Sequence, residues 1–162
     1  VINSGVSGST FTDALARFDR DVARHNPDLV IVGFGINDWM FAKIPLEQQR
    51  RDLEALITRL RTDTRASILL RTPPLITDKD TFVWADPEPL RETVAMIRDV
   101  AAEQNITLVD HQASWRAAPP ADARAVMYDW IHPNELGQRR LFEELAPTLG
   151  LKTELRWMKA AQ

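Results

Sequence analysis

Asp129 and His132 stand three residues apart in the run Asp129-Trp130-Ile131-His132-Pro133. A carboxylate on one imidazole nitrogen fixes the tautomer and leaves the other nitrogen free as a base. Pro133 biases the backbone of His132 toward an extended form, which holds the ring's direction. About ninety residues earlier, Gly35-Ile36-Asn37-Asp38 follows an apolar run, and the Asn37 amide could donate to a developing oxyanion. These are two of the three parts of a serine-esterase site. A third stretch, Ser4-Gly5-Val6-Ser7-Gly8-Ser9-Thr10, precedes a helix. Its backbone N–H groups could bind an oxyanion, and Gly8 lacks the Cβ that would block close approach. Each signal has a plainer reading: an Asp-x-x-His loop, an Asn-Asp turn in which Asp38 is a structural acceptor, and an ordinary capped helix.

The elements that must position these residues alternate. Val1–Asn3 reads as the end of a strand, and Ser4–Thr12 as a loop. Thr10 or Thr12 can cap a helix carrying Leu15, Phe18 and Val22, which ends at His25-Asn26-Pro27-Asp28. Leu29–Gly33 reads as a strand buried on both faces, with Gly35–Asp38 as the loop after it. Pro45 opens a helix with Leu46, Leu53, Leu56, Ile57 and Leu60 on its inner stripe. Ala66–Leu70 is a strand stopped by Thr72-Pro73-Pro74, and Thr77–Pro87 a polar loop holding Phe82 and Trp84. A helix spans Leu90–Gln104, a strand Ile106–Val109, and a loop Ala117–Arg124. The last helix spans Glu135–Leu149 and stops at Gly150, and Leu151–Gln162 is a further helical turn or a frayed tail. Strands alternating with helices predict a parallel sheet with helices on both faces. Ligand sites in such sheets lie beyond the carboxyl ends of the strands. The loops holding Gly8, Asn37, Asp129 and His132 fall on that edge.

Bulk properties narrow the classes. A chain of 162 residues predicts one domain with a substantial core. A net charge of −3 gives no pointer to nucleic acid or to an anionic membrane. The sequence contains no cysteine, which excludes disulfides, thiolate metal sites and a cysteine nucleophile. No apolar run approaches membrane-spanning length.

In combination, Asn3-x-Gly5-x-Ser7-Gly8, then strand-Gly35-x-Asn37-Asp38, then Asp129-x-x-His132-Pro133-Asn134 before a terminal helix resemble the SGNH (GDSL-like) hydrolase superfamily. Thr72-Pro73-Pro74 and Val109-Asp110 fit the same pattern, so the likeness covers nearly the whole chain. It implies a flavodoxin-like three-layer α/β/α fold with a parallel sheet. It also implies ester hydrolysis of the esterase or lipase type without metal or organic cofactor. By the same likeness His132 is the base, Asp129 its partner, and Gly8 and Asn37 the oxyanion donors.

The family's first block, a Gly-Asp-Ser after the first strand, has no counterpart in the sequence. None of Ser4, Ser7, Ser9, Ser67 or Ser114 follows a Gly-Asp pair. The expectation is therefore a single SGNH-like domain over 1–162, N-terminally truncated, missing its first, central strand and the nucleophile with it. A strand and its crossover need at least about 20 residues. The substrate expected is a small-molecule ester, an acylated lipid or carbohydrate. Trp39, Trp84 and Trp130 are candidates to line its pocket or simply to pack, and His25 and His111 read as structural or exposed. Alternatives are a non-catalytic binding module, an acyltransferase, and a metal-dependent hydrolase using Asp110, His111, Asp129 and His132. Cytoplasmic and secreted locations both fit.

Overall fold

A computed structural model describes residues 1–117 and 122–152. Pro119-Pro120 and residues 153–162 of the expected tail lie outside the described residues. The chain divides into two compact units, Val1–Pro74 with Asp86–Gln112, and Leu75–Ala85 with Ala113–Gln162.

The first unit is built on a parallel sheet. Strand β1 (Leu29–Val32) pairs with β2 (Ser67–Arg71), and β2 pairs with β5 (Thr107–Val109). Strand and helix alternate as the periodicity predicts, because parallel neighbours need a crossover. Val30, Val32, Ile68 and Leu70 turn one sheet face onto the core. That core is closed by α1 (Phe11–Ala16), α4 (Leu46–Asp63) and α5 (Glu88–Glu103), through Phe11, Leu53, Leu56, Ile57, Leu60, Ile97 and Val100. Each such side chain contributes roughly 1.5–3 kcal/mol by leaving water. A buried glutamine ties the helices together. Gln49 of α4 donates to the Ile44 carbonyl and accepts from the Thr93 hydroxyl of α5.

Several expectations are corrected in this unit. Val1–Asn3 belongs to no strand and has no ladder partner among the described residues. The first helix is broken into α1, α2 (Phe18–Asp21) and a 3-10 turn at Ala23–His25. Arg17, at φ −110° and ψ 8°, interrupts it, and its guanidinium reaches back to the Ser4 carbonyl. β1 is not buried on both faces, since Leu29 is 41% and Ile31 39% exposed. Among the described residues β1 pairs on one side only, and the face carrying Leu29 and Ile31 is only partly covered. The segment after β1 is a helix, α3 (Ile36–Met40), rather than a loop.

In the second unit the polar stretch before α5 forms a small antiparallel hairpin, β3 (Ile76–Thr77) with β4 (Trp84–Ala85). Trp84 therefore sits on a strand and packs edge-on against the fully buried Trp115, 5.4 Å between ring centroids. A short helix, α7 (Asp122–Val126), stands partly where the loop Ala117–Arg124 was expected, and another, α6 (His111–Arg116, which begins in the first unit's sequence), follows β5. α8 (Glu135–Leu145) continues as a 3-10 turn to Leu149 and stops at Gly150, φ 67°, as expected of a left-handed cap. Asn134 caps α8 by accepting from the Gly137 N–H. No helix among the described residues is long and apolar enough to cross a membrane.

Gly137 has a packing role. A Cβ there would fall 2.2 Å from the Val126 carbonyl oxygen and 2.7 Å from Pro133 Cβ. Gly to Ala in an open helix adds about 1 kcal/mol of stability. Here the contact is with backbone, so Gly137→Ala is expected to destabilise by about 1–3 kcal/mol. A lowered thermal midpoint checks it; an unchanged or raised one contradicts it.

Candidate active site

In the first unit the expected oxyanion donors are brought together by α3. Gly35 at φ 120° takes a backbone form that side chains disfavour, and it lets the chain turn directly from β1 into a helix. A Cβ at this position would also lie 2.9 Å from Thr93 Cγ2. The turn places Asn37 and Asp38 side by side in the first turn of α3. The Asn37 amide donates to the Ser9 carbonyl at 3.0 Å, one residue from Gly8. Asp38 is fully buried, at 0% exposure. Its carboxylate accepts the N–H of Phe11 at 2.9 Å and that of Gly35 at 3.1 Å. α1 and α3 are thus bolted at their starts by one side chain, the structural acceptor expected of Asp38. Burial pushes its carboxyl above the usual aspartate range, against the opposing pull of the N–H groups of Phe11, Gly35 and Asp38 itself.

Gly8 sits at φ 77°, so the loop needs a glycine there for backbone reasons. Its N–H has no acceptor among the described residues. It lines a concavity of about 420 Å³ together with Val6, Ser7, Ser9, Asp13, Ala16 and Arg17.

In the second unit a closed turn carries the expected base. Met127 and Pro133 form an isolated antiparallel bridge, and the Tyr128 N–H donates to the His132 carbonyl at 2.8 Å. Inside the turn Asp129 Oδ1 accepts the N–H groups of Ile131 and His132 at 2.8 and 2.7 Å. Its Oδ2 lies 2.7 Å from His132 Nδ1. The carboxylate fixes a proton on Nδ1 and leaves Nε2 as the acceptor, with no described residue bonded to it. The ring is 67% exposed. Trp130 is half-buried, its carbonyl accepting the Thr77 N–H at 2.8 Å from the hairpin.

Of the other tryptophans, Trp39 is half-buried on α3, with its indole N–H unpartnered, and Trp84 flanks the second core. His25 is exposed and His111 buried. Asp110 holds the Arg98 guanidinium with both oxygens, at 2.7 and 3.0 Å. Among the described residues no group of three or more His, Cys, Asp or Glu is placed to hold a metal ion. The spacing of the motifs does not reveal that Asp38 joins α1 to α3 or that Gln49 joins α4 to α5. A buried carboxylate next to a glycine with positive φ is the signal for the first. A polar residue on the apolar stripe of α4 is the signal for the second.

Two outcomes follow for stability. Asp38→Ala leaves the Phe11 and Gly35 N–H groups buried without acceptors and is expected to cost about 1–3 kcal/mol, read from the denaturant midpoint. Asp129 is held below the usual aspartate value of 3.8. Burial raises it, but hydrogen bonds from the His132 ring and from the Ile131 and His132 N–H groups outweigh that effect. A lowered folded-state value gives stability that is present above 3.8 and lost as the pH falls through the depressed value. The melting-point gap between the wild type and Asp129→Asn should therefore be full at neutral pH and shrink on acidification below about 4. A gap that widens in acid contradicts the assignment.

The model of the GDSL-like lipase/acylhydrolase family matches residues 1–140. An acetylxylan esterase of Geobacillus stearothermophilus is 29% identical over 168 residues, covering 94% of this chain and 73% of that protein. Esterase TesA of Pseudomonas aeruginosa is 27% identical over 151 residues, covering 92% of this chain and 69% of that protein. The crystal structure of the Geobacillus stearothermophilus esterase superposes with a TM-score of 0.77 at 27% identity, over 94% of this chain and 73% of that one. Catalytic mutants of that esterase, with a serine, an aspartate or a histidine replaced, match as well, the aspartate and histidine being three positions apart. A family match over most of its length, carried on a parallel α/β sheet, places this chain in the GDSL-like lipase/acylhydrolase family.

Proposed function

We propose that this chain carries the base and the oxyanion donors of a serine esterase that hydrolyses acyl esters of small molecules, an acylated carbohydrate or lipid. One observation carries the reading: His132 Nδ1 lies 2.7 Å from Asp129 Oδ2 on a ring that faces solvent. That is the arrangement of an oriented imidazole base. The aspartate and histidine replaced in catalytic mutants of the Geobacillus stearothermophilus esterase have the same spacing, which supports it.

In this mechanism a serine oxygen attacks the ester carbonyl while His132 Nε2 takes its proton. Asp129 holds the ring and stabilises the imidazolium. The Gly8 N–H and the Asn37 amide receive the oxyanion, and losing one such donor typically costs roughly 3–4 kcal/mol. The acyl-enzyme is then hydrolysed by a water that His132 activates. The chain's own serines are poor nucleophiles for this base. The Ser4 hydroxyl donates to the Asp21 carbonyl and that of Ser114 to Glu144. Ser67 begins β2, and Ser9 is buried beside Arg17. Ser7 is exposed beside Gly8, and like the other four it follows no Gly-Asp pair, so in this reading the nucleophile is one supplied to these 162 residues.

Two assays test the reading. The 162-residue chain alone should leave p-nitrophenyl acetate unhydrolysed and take up no fluorophosphonate label. Robust turnover abolished by that label would overturn the assignment of the nucleophile. A chimera joining the Gly-Asp-Ser strand of an esterase relative to this chain should hydrolyse the same ester. His132→Ala and Asn37→Ala should each lower its kcat by about 10²–10³. An active chimera indifferent to both substitutions would sink the esterase site as drawn.

A further inference from the structure

The carboxyl end of the parallel sheet holds a cation that the proposed mechanism does not use. Arg71 closes β2, and the pairing of Val32 with Leu70 sets it opposite Gly33, the residue after β1. Its stem lies against that glycine. A Cβ on Gly33 would fall 2.8 Å from Arg71 Cγ and 3.0 Å from Cδ, and closer still to Nε. The side chain therefore leaves β2 sideways and crosses onto the end of β1. Among the described residues no carboxylate or carbonyl accepts from its guanidinium, and burial pulls that group below the usual arginine range with no acid to offset it. A desolvated cation without a partner is costly, and a guanidinium can hold a carboxylate by two parallel N–H bonds.

A second observation lies on the same face. Side chains alternate along a strand, so Leu29, Ile31 and Gly33 share a face with Leu69 and Arg71, while Val30, Val32, Ile68 and Leu70 turn to the core. Leu29 and Ile31 are 41% and 39% exposed, and on its other side β1 has no ladder partner among the described residues. A strand laid there parallel to the others would pass Leu29, then Ile31 two positions on, then the Arg71 guanidinium after two more. That spacing specifies an occupant of the pattern apolar-x-apolar-x-acid.

We infer that Arg71 is a carboxylate seat for the strand that docks on the open edge of β1 and brings the nucleophile with it. The inference rests on the esterase reading above, which takes its serine from outside these 162 residues. It adds where that serine arrives and which side chain recognises its carrier. In a strand ending Gly-Asp-Ser the aspartate takes the acidic position of the pattern. The serine follows one residue later, at the edge of the sheet from which Gly35 and Asn37 start α3. Main-chain pairing along β1 supplies the affinity, and the ion pair supplies the register. A slip of one residue would turn the acid to the other face and leave the guanidinium empty.

The probe is a capped, dye-labelled peptide, Thr-Val-Thr-Val-Gly-Asp-Ser, with a twin carrying Asn for Asp. By fluorescence anisotropy the aspartate peptide is expected to bind the chain about tenfold more tightly than its twin. Arg71→Gln should abolish that difference, and Arg71→Glu should shift the preference to a peptide ending Gly-Lys-Ser. Binding should also slow amide exchange within Leu29–Val32. Without peptide, Arg71→Gln should leave the thermal midpoint unchanged or raise it, since an empty seat stabilises nothing. A lowered midpoint gives Arg71 a structural role and overturns the inference. Absence of peptide binding overturns it, as do equal affinities of the two peptides and displacement of the peptide by millimolar acetate. A chain that self-associates in a form the peptide does not dissociate overturns it too, assigning the edge to a second copy. An active chimera beside a peptide that does not bind sinks the seat alone. A bound peptide beside an inactive chimera sinks the esterase site and keeps the seat.

Discussion

The Asp38 carboxylate is the constraint on which the joining of α1 and α3 in the first unit depends. It is wholly buried, and among the described residues no cation partners it. Its charge is balanced by the backbone N–H groups of Phe11 and Gly35. A buried carboxylate is tolerated only when donors of this kind surround it. The arrangement therefore fixes the starts of two short helices at once. Asn37, next in the chain, follows passively into reach of the Ser9 carbonyl. The position of Asn37 beside the Ser9 carbonyl is thus a by-product of satisfying one anion. The desolvation that raises its proton affinity is the cost of that rigidity.

The second unit solves its own positioning problem differently. Asp129 spends one oxygen on the N–H groups of Ile131 and His132, shaping the turn, and the other on the imidazole. Structure and chemistry share one side chain of local reach. The outer frame is equally local: the bridge at Met127 and Pro133, the Asn134 cap on α8, and Gly137 admitting the Val126 carbonyl. Apart from the Thr77 N–H that the Trp130 carbonyl accepts, these partners lie close to the dyad in the chain.

That difference explains what could be read in the sequence. The Asp129–His132 pairing is an i, i+3 relation closed by a proline, and residue types at that spacing announce it. The parallel sheet was legible because Leu29–Val32, Ser67–Arg71 and Thr107–Val109 are short apolar runs between helical periods. The break after Ala16 was not legible, because Leu15, Phe18 and Val22 keep a helical period across it. The Arg17 guanidinium interrupts the helix by binding the Ser4 carbonyl, a tertiary contact that no local pattern encodes. The small hairpin at Ile76–Thr77 and Trp84–Ala85 was hidden for a related reason. Its strands are two residues each and are held by their partners rather than by propensity.

The exposed flank of β1 has a consequence for handling the molecule. Leu29 and Ile31 leave a hydrocarbon strip beside backbone groups that find no ladder mate among the described residues. Such a margin invites another polypeptide to dock alongside by main-chain pairing. Colloidal behaviour should accordingly be governed by this strip rather than by the modest negative charge. Dilution and mild chaotropes would then keep the material monodisperse more effectively than a change of salt or buffer.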